Sequence, residues 1–329
     1  MTQPLVIVKD LRVYFYTYAG VVKAVDGVSF EILEGETFCL VGETGCGKSV
    51  TSRALTKLID PPGRIVGGVV LYRTRDGKYV NMLELSEDEL RNIRGREIAY
   101  VFQDPAAALD PLYTIGHHFV ETMLDHGTIR KPREGIAKAV ELLKEVAMPA
   151  PEVRVKNYPH ELSGGMKQRA VIGIGLSNMP RLLVADEPTS YLDVSVQAQI
   201  LELLRQLKEK HGLTLLLITH DMGVVAEMCD RVAVLYAGHL VEVGPVDKIF
   251  TNPLHPYTQA LLRAVPNPTR RVLKLEPIPG NVPNLVNPPP GCRFHPRCPY
   301  AMDVCKRERP PMVSMEERHY VSCWLYAKR

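Results

Sequence analysis

The chain has 329 residues, enough for about two domains, and 46% hydrophobic against 23% charged residues marks a core-forming chain, not a disordered one. A formal charge of +3 falls well short of the basic excess of a nucleic-acid footprint, so no nucleic-acid partner is expected. No apolar run approaches the roughly 18 to 20 residues that cross a bilayer, and the start MTQPLVIVKD lacks the basic and apolar regions of a signal peptide, so the chain is expected to stay in the cytosol.

In chain order, short β-branched or apolar runs predict strands at 5–13, 28–32, 37–41, 98–102, 182–185, 214–219 and 232–236. Apolar residues spaced by three and four predict helices at 49–58, 134–146, 166–178, 196–211 and 223–229. Strands alternating with helices read as α/β, a parallel sheet covered by helices. Between 98–102 and 182–185 the pattern is helical only, which predicts an inserted helical subdomain at about 104–180. Beyond residue 250 the composition changes: residues 251–329 hold 14 of the 26 prolines, four of the seven cysteines, and 12 Lys and Arg against 5 Asp and Glu. A boundary is therefore expected near 250, between a regular body at 1–250 and a loop-rich tail at 251–329.

Gly42-Glu43-Thr44-Gly45-Cys46-Gly47-Lys48-Ser49 fits the pattern G-x-x-x-x-G-K-[ST], with a predicted strand before it and a helix after it. Glycines let the backbone curl so that amides and the helix N-terminus face phosphate oxygens, while Lys48 neutralises charge and the Ser49 hydroxyl suits Mg²⁺. These eight residues and Val50 are the expected ATP contacts. The run Leu182-Leu183-Val184-Ala185-Asp186-Glu187 is an apolar strand ending in two carboxylates. Asp186 suits Mg²⁺ held through water, and Glu187 suits a catalytic role on the attacking water. Leu162-Ser163-Gly164-Gly165-Met166-Lys167-Gln168-Arg169 puts a serine and two glycines before a helix, a second anion-seeking N-terminus.

This last octet resembles the signature motif of the ATP-binding cassette (ABC) family, and the resemblance extends along the whole chain. It implies a P-loop NTPase fold of the ABC nucleotide-binding type. Gln103 resembles the Q-loop glutamine that touches Mg²⁺ and water, His220 the catalytic switch histidine at the γ-phosphate, and Ser190-Tyr191-Leu192-Asp193 the D-loop, in which Asp193 is the expected functional residue. Phe15 resembles the aromatic that stacks on adenine; strand alternation sends its neighbours Tyr14 and Tyr16 to the opposite face. Mg²⁺ is then expected at Ser49, Gln103 and Asp186. In this family two cassettes face head to tail, so Ser163, Gly164, Gly165 and Gln168 are expected to meet the ATP of a second cassette, identical or related. Two transmembrane permease subunits, meeting residues 103–114, and an extracellular solute-binding protein are the further implied partners, with the chain on the cytoplasmic face of the membrane.

In the tail, Asn252-Pro253-Leu254-His255-Pro256-Tyr257-Thr258 resembles the segment that marks dipeptide and oligopeptide importer cassettes, whose relatives take up peptides and in some cases nickel or oligosaccharides. Cys292, Cys298, Cys305 and Cys323 form a C-x5-C-x6-C-x17-C set that reads as tetrathiolate metal binding without the paired spacing of structural zinc. The family resemblance marks this array as a [4Fe-4S] cluster in a subset of importer cassettes; zinc, disulfides or free thiols are the alternatives, and His295 or His319 a substitute for one cysteine. Arg293, Arg297, Lys306, Arg307 and Arg309 are expected to lower the thiol pKa values. Cys39 and Cys229 read as separate buried apolar residues, and Cys46 as a thiol of lowered pKa at a helix N-terminus. The rival functions are a soluble cassette ATPase acting on nucleic acid or ribosomes, which usually carries a tandem cassette, coiled coil or basic face not seen here, and a nucleotide-binding scaffold without turnover, which would lack Glu187 or His220.

Overall fold

The computed structural model describes residues 3–264 and 278–327. Its strands are β1 (Pro4–Thr17), β2 (Gly20–Leu33), β3 (Thr37–Val41), β4 (Gly63–Arg73), β5 (Tyr79–Asn81), β6 (Ile98–Val101), β7 (Leu182–Asp186), β8 (Thr214–Thr219), β9 (Arg231–Tyr236), β10 (His239–Pro245), β11 (Met312–Glu316) and β12 (His319–Ser322). Two compact units emerge, one from residues 1–84 and 218–329, the other from residues 85–217.

The first unit contains an antiparallel sheet in the order β2-β1-β4-β5. Leu5, Val6, Val8, Leu11 and Val13 of β1 are buried, which is the half-buried alternation expected of such a strand, interrupted by bulges against β2. The same unit pairs β3 with β9 in parallel, and β9, β10, β12 and β11 in succession antiparallel. Every residue of β3 and β9 is buried, so their apolar runs are unbroken. Strands β4, β5, β10, β11 and β12 were not predicted: β4 is broken by three glycines, β5 has only three residues, and the β11–β12 hairpin lies in the proline-rich tail.

Glu242 ties that tail to the body. Its fully buried carboxylate on β10 accepts the backbone N–H groups of Leu254 and His255, each at 2.9 Å, and pairs with His319 Nε2 of β12 at 2.9 Å. Tyr326 adds a bond to the Leu254 carbonyl, over a small core of Leu254, Val321 and Cys323. His319 is thereby committed to Glu242 and does not stand in for a cysteine.

Cys39 on β3 and Cys229, which follows the helix Met222–Met228, are both buried, as expected, but they are joined in a disulfide across a Cα separation of 6.0 Å. The expectation of two separate apolar residues is corrected. Packing alone does not reveal a pair 190 positions apart in sequence.

In the second unit β6 and β7 pair in parallel, from Ile98 with Leu182 to Val101 with Ala185. Between them the described chain carries α-helices at Pro105–Ala108, Ile115–Asp125, Pro132–Glu145, Pro151–Arg154 and Gly164–Leu176, and one 3₁₀ turn. Helix Val194–His211 follows; Ile200, Leu201, Leu203, Leu204 and Leu207 form its buried stripe, and Gly212, at φ 62°, ends it.

Candidate nucleotide site and cysteine cavity

In the first unit the loop after β3 curls as its glycines allow. Gly42 has φ 150° and a Cβ there would stand 2.1 Å from the Leu235 carbonyl oxygen; Gly47 has φ 103° and a Cβ would stand 2.3 Å from the Ala24 carbonyl oxygen. Thr44 and Gly45 lie between them, and the helix Lys48–Ala54 begins directly after Gly47, with Ser49 and Val50 in its first turn. The Lys48 ammonium is buried and donates to the carbonyls of Gly42 at 2.7 Å and Glu43 at 3.2 Å. Cys46 is buried 4.0 Å from the Lys48 ammonium, and burial pushes its thiol pKa up against the influence of Lys48. The expected lowering is therefore reversed, because desolvation outweighs the cation and the helix terminus.

His220 lines one cleft with Gly42, Glu43 and Thr44, so the structure brings the predicted histidine to the phosphate loop. Phe15 is half-buried on β1 opposite Val22 and Gly63. Tyr14 turns its hydroxyl to Asp26 at 2.9 Å, and Tyr16 is exposed beneath Arg64.

In the second unit Asp186 ends the fully buried strand β7 and accepts a hydrogen bond from the Tyr100 hydroxyl at 3.0 Å. Glu187 follows in the left-handed region, φ 47°, which a non-glycine residue occupies only when its surroundings enforce it. Its carboxylate accepts the Gln103 side-chain amide at 3.0 Å and the Ser190 hydroxyl at 2.9 Å. Asp193 caps helix Val194–His211 through Val196 N–H at 2.9 Å. Ser163 caps helix Gly164–Leu176 through Met166 N–H, and Ser163 and Gly164 are exposed, with Gly165 against Val196. Gln168, one turn on from Gly164 in the same helix, is buried within the unit.

The tail also forms part of the phosphate-loop surroundings. The Tyr257 hydroxyl accepts the Glu43 backbone N–H at 2.8 Å, and Arg297 grips the Glu43 carboxylate with two nitrogens, at 2.8 and 3.2 Å. Sequence reasoning assigned neither contact, since no local pattern announces a partner more than 200 positions away. Tyr236, Tyr257 and Phe294 pack ring against ring between this point and the cysteines.

Cys292, Cys298, Cys305 and Cys323 are free thiols that line one small cavity with His255, His295, Phe294, Tyr300 and Trp324. Burial pushes Cys292 up to about 12 and Cys323 up to about 11, with the neighbouring thiols adding to the effect, and Cys298 also rises. Desolvation dominates at these thiols, and four of the five basic residues expected to lower them make their contacts elsewhere. Arg293 pairs with Asp26 at 2.6 Å, Arg297 with Glu43, and Lys306 with Asp303, while Arg309 donates to the carbonyls of Asp26 and Gly27. Arg307 is exposed. Among the described residues, no three His, Cys, Asp or Glu side chains are grouped to hold one metal ion, so the expected metal-binding tail is not formed as a ready-made single-ion centre.

Residues 25–190 match the family model described as ABC transporter, and residues 241–305 match the one described as oligopeptide/dipeptide transporter, C-terminal region. The chain belongs to the ATP-binding proteins of the oligopeptide and dipeptide ABC transporter family. It is 48% identical to the oligopeptide transport ATP-binding protein OppD of Bacillus subtilis, over 97% of this chain and 88% of that one. It is 46% identical to the dipeptide transport ATP-binding protein DppD of the same organism, over 98% and 95%. A dimeric post-hydrolysis ATP-binding cassette bound to ADP and Pi superimposes with a TM-score of 0.64 at 28% identity, covering 73% of this chain and 98% of that one. As an ABC cassette, the chain carries the phosphate loop in one unit and the signature and carboxylate strand in the other. Among the described residues, no helix is long and apolar enough to cross a membrane.

Proposed function

We propose that this chain binds and hydrolyses ATP and thereby powers peptide uptake through a membrane importer, working from the cytoplasmic face of the membrane. The observation that carries the reading is Glu187, fixed one residue beyond a buried strand by Gln103 and Ser190. A carboxylate held in that way is positioned to orient water and take its proton as the water oxygen bonds to the γ-phosphorus. The bond from that phosphorus to the bridging oxygen breaks, and ADP and phosphate are the products. Phe15 would meet the adenine, residues 42–50 the phosphates, and His220 the γ-phosphate. The oxygen donors of Ser49, Gln103 and Asp186 suit Mg²⁺, which when bound neutralises phosphate charge.

Residues 1–250 are read as the cassette, with its helical insertion at about 104–180, and residues 251–329 as the appended importer-type region. The cassette would pair with a second one, so that Ser163, Gly164, Gly165 and Gln168 approach the partner's ATP, with Asp193 in the D-loop between them. The relative solved as a dimer supports pairing, and the OppD and DppD relatives support peptides as cargo. Two permease subunits and an external peptide-binding protein complete the importer. Co-purification of the full chain from native membrane with two permease subunits, together with peptide uptake that disappears in Lys48→Ala, is the expected result. A chain that enriches ribosomes or nucleic acid in place of permeases overturns it.

The cysteine cavity is read as the seat of a [4Fe-4S] cluster. All four thiols line it, and four soft sulfur donors are the ligand set such a cluster takes. The cluster would be held by Cys292, Cys298, Cys305 and Cys323, and it would supply cross-linking of a segment with little regular structure. Zinc is the alternative occupant.

A further inference from the structure

Glu43 is an anomaly of charge: a carboxylate inside a loop built to receive a polyphosphate. The structure shows what is done with it. Arg297 takes both carboxylate oxygens, and its side chain is only 5% exposed. The rest of the guanidinium is equally fixed, by the Pro279 carbonyl at 2.8 Å, the Ile278 carbonyl at 3.2 Å, the Tyr236 hydroxyl at 3.3 Å and the face of the Tyr236 ring. The backbone N–H of the same Glu43 is taken by Tyr257. Both ends of the one acidic residue in the loop are therefore held from the C-terminal segment. Arg297 and Glu43 also line the cleft that contains Thr44 and His220.

We infer that Arg297 is a positioning residue of the nucleotide site: it cancels the Glu43 charge beside the bound phosphates and holds the start of the phosphate loop in place. The inference rests on the proposed ATP site. A fork of two parallel N–H donors suits this task better than an ammonium, because it fixes the direction of the carboxylate as well as its charge. With Arg297 removed, the carboxylate stands uncompensated next to an incoming anion and repels it.

The test is a double-mutant comparison on the full chain, reading ATP affinity by equilibrium binding alongside thermal melting. Arg297→Ala is expected to weaken ATP binding at least about tenfold, a loss that shrinks as salt is raised. In a Glu43→Gln background the same change is expected to alter affinity by less than about threefold, and Arg297→Lys to retain part of it. A residue that only supported the fold would cost the same in both backgrounds. The inference is overturned if Arg297→Ala binds ATP as the parent does, or if its loss persists undiminished when Glu43 is neutralised. Where Arg297→Ala does not fold, Arg297→Gln in the two backgrounds makes the same comparison. A parent chain that binds no ATP, or a Lys48→Ala variant that binds it normally, overturns the nucleotide-site reading itself.

Discussion

The Gln103 amide donates to the Glu187 carboxylate at 3.0 Å, although the two residues are 84 positions apart. The sequence puts Gln103 at the end of one strand and Glu187 at the end of another, and the parallel pairing of β6 with β7 sets those two ends side by side. Gln103 thus acts on the candidate base directly, in addition to any contact with metal or water.

Replacing Glu187 by Gln is expected to lower ATP turnover by at least about two orders of magnitude, the usual contribution of a general base, while ATP still binds. Gln103→Ala and Ser190→Ala each remove one side-chain bond to the carboxylate and are expected to cost less. Steady-state phosphate release with parallel ATP binding checks this, and unchanged turnover in Glu187→Gln removes the residue from the chemistry.

Glu242→Ala is expected to destabilise the chain by about 3 to 5 kcal/mol, since it strands the His319 imidazole and two backbone N–H groups in the interior, each at a cost of about 1 to 3 kcal/mol. Denaturant unfolding measures the loss. A variant within about 0.5 kcal/mol of the parent would show that the tail does not depend on this carboxylate.

Acid is expected to loosen the same region. Burial pushes His239 down to about 4, with Arg293 and Arg309 assisting and Asp26 opposing. The unfolded chain therefore takes up a proton below about 6.5 that the folded chain refuses until about 4, so this contribution to stability falls as pH drops through that window. Asp26 lies below the ordinary carboxylate range, chiefly through its contact with His239 and then through Tyr14 and Arg293, against the cost of burial. Its contribution is present above about 3.8 and is lost on further acidification. Melting temperatures from pH 7 to 4 should fall, and His239→Gln should flatten the upper part of that slope.

Protein purified without oxygen is expected to be brown and to carry about four irons per chain. Cys305→Ser should lower iron content and visible absorbance together. Colourless protein with one equivalent of zinc selects the alternative occupant.

What could be read without coordinates is what local chemistry decides. A glycine loop ahead of Lys48, an apolar strand that ends in Asp186 and Glu187, and a serine before two glycines each carry their physical reason within about eight neighbouring residues. The parallel strands β3, β7 and β9 were legible because burial on both faces demands continuous apolar runs. Tertiary structure alone decided the pairings between distant groups: Arg297 with Glu43, Glu242 with His319, Gln103 with Glu187, and Cys39 with Cys229. It also reversed the expected thiol pKa values, because the cost of desolvation and the prior engagement of nearby arginines depend on which groups the folded chain brings together, and neighbours in sequence do not report that.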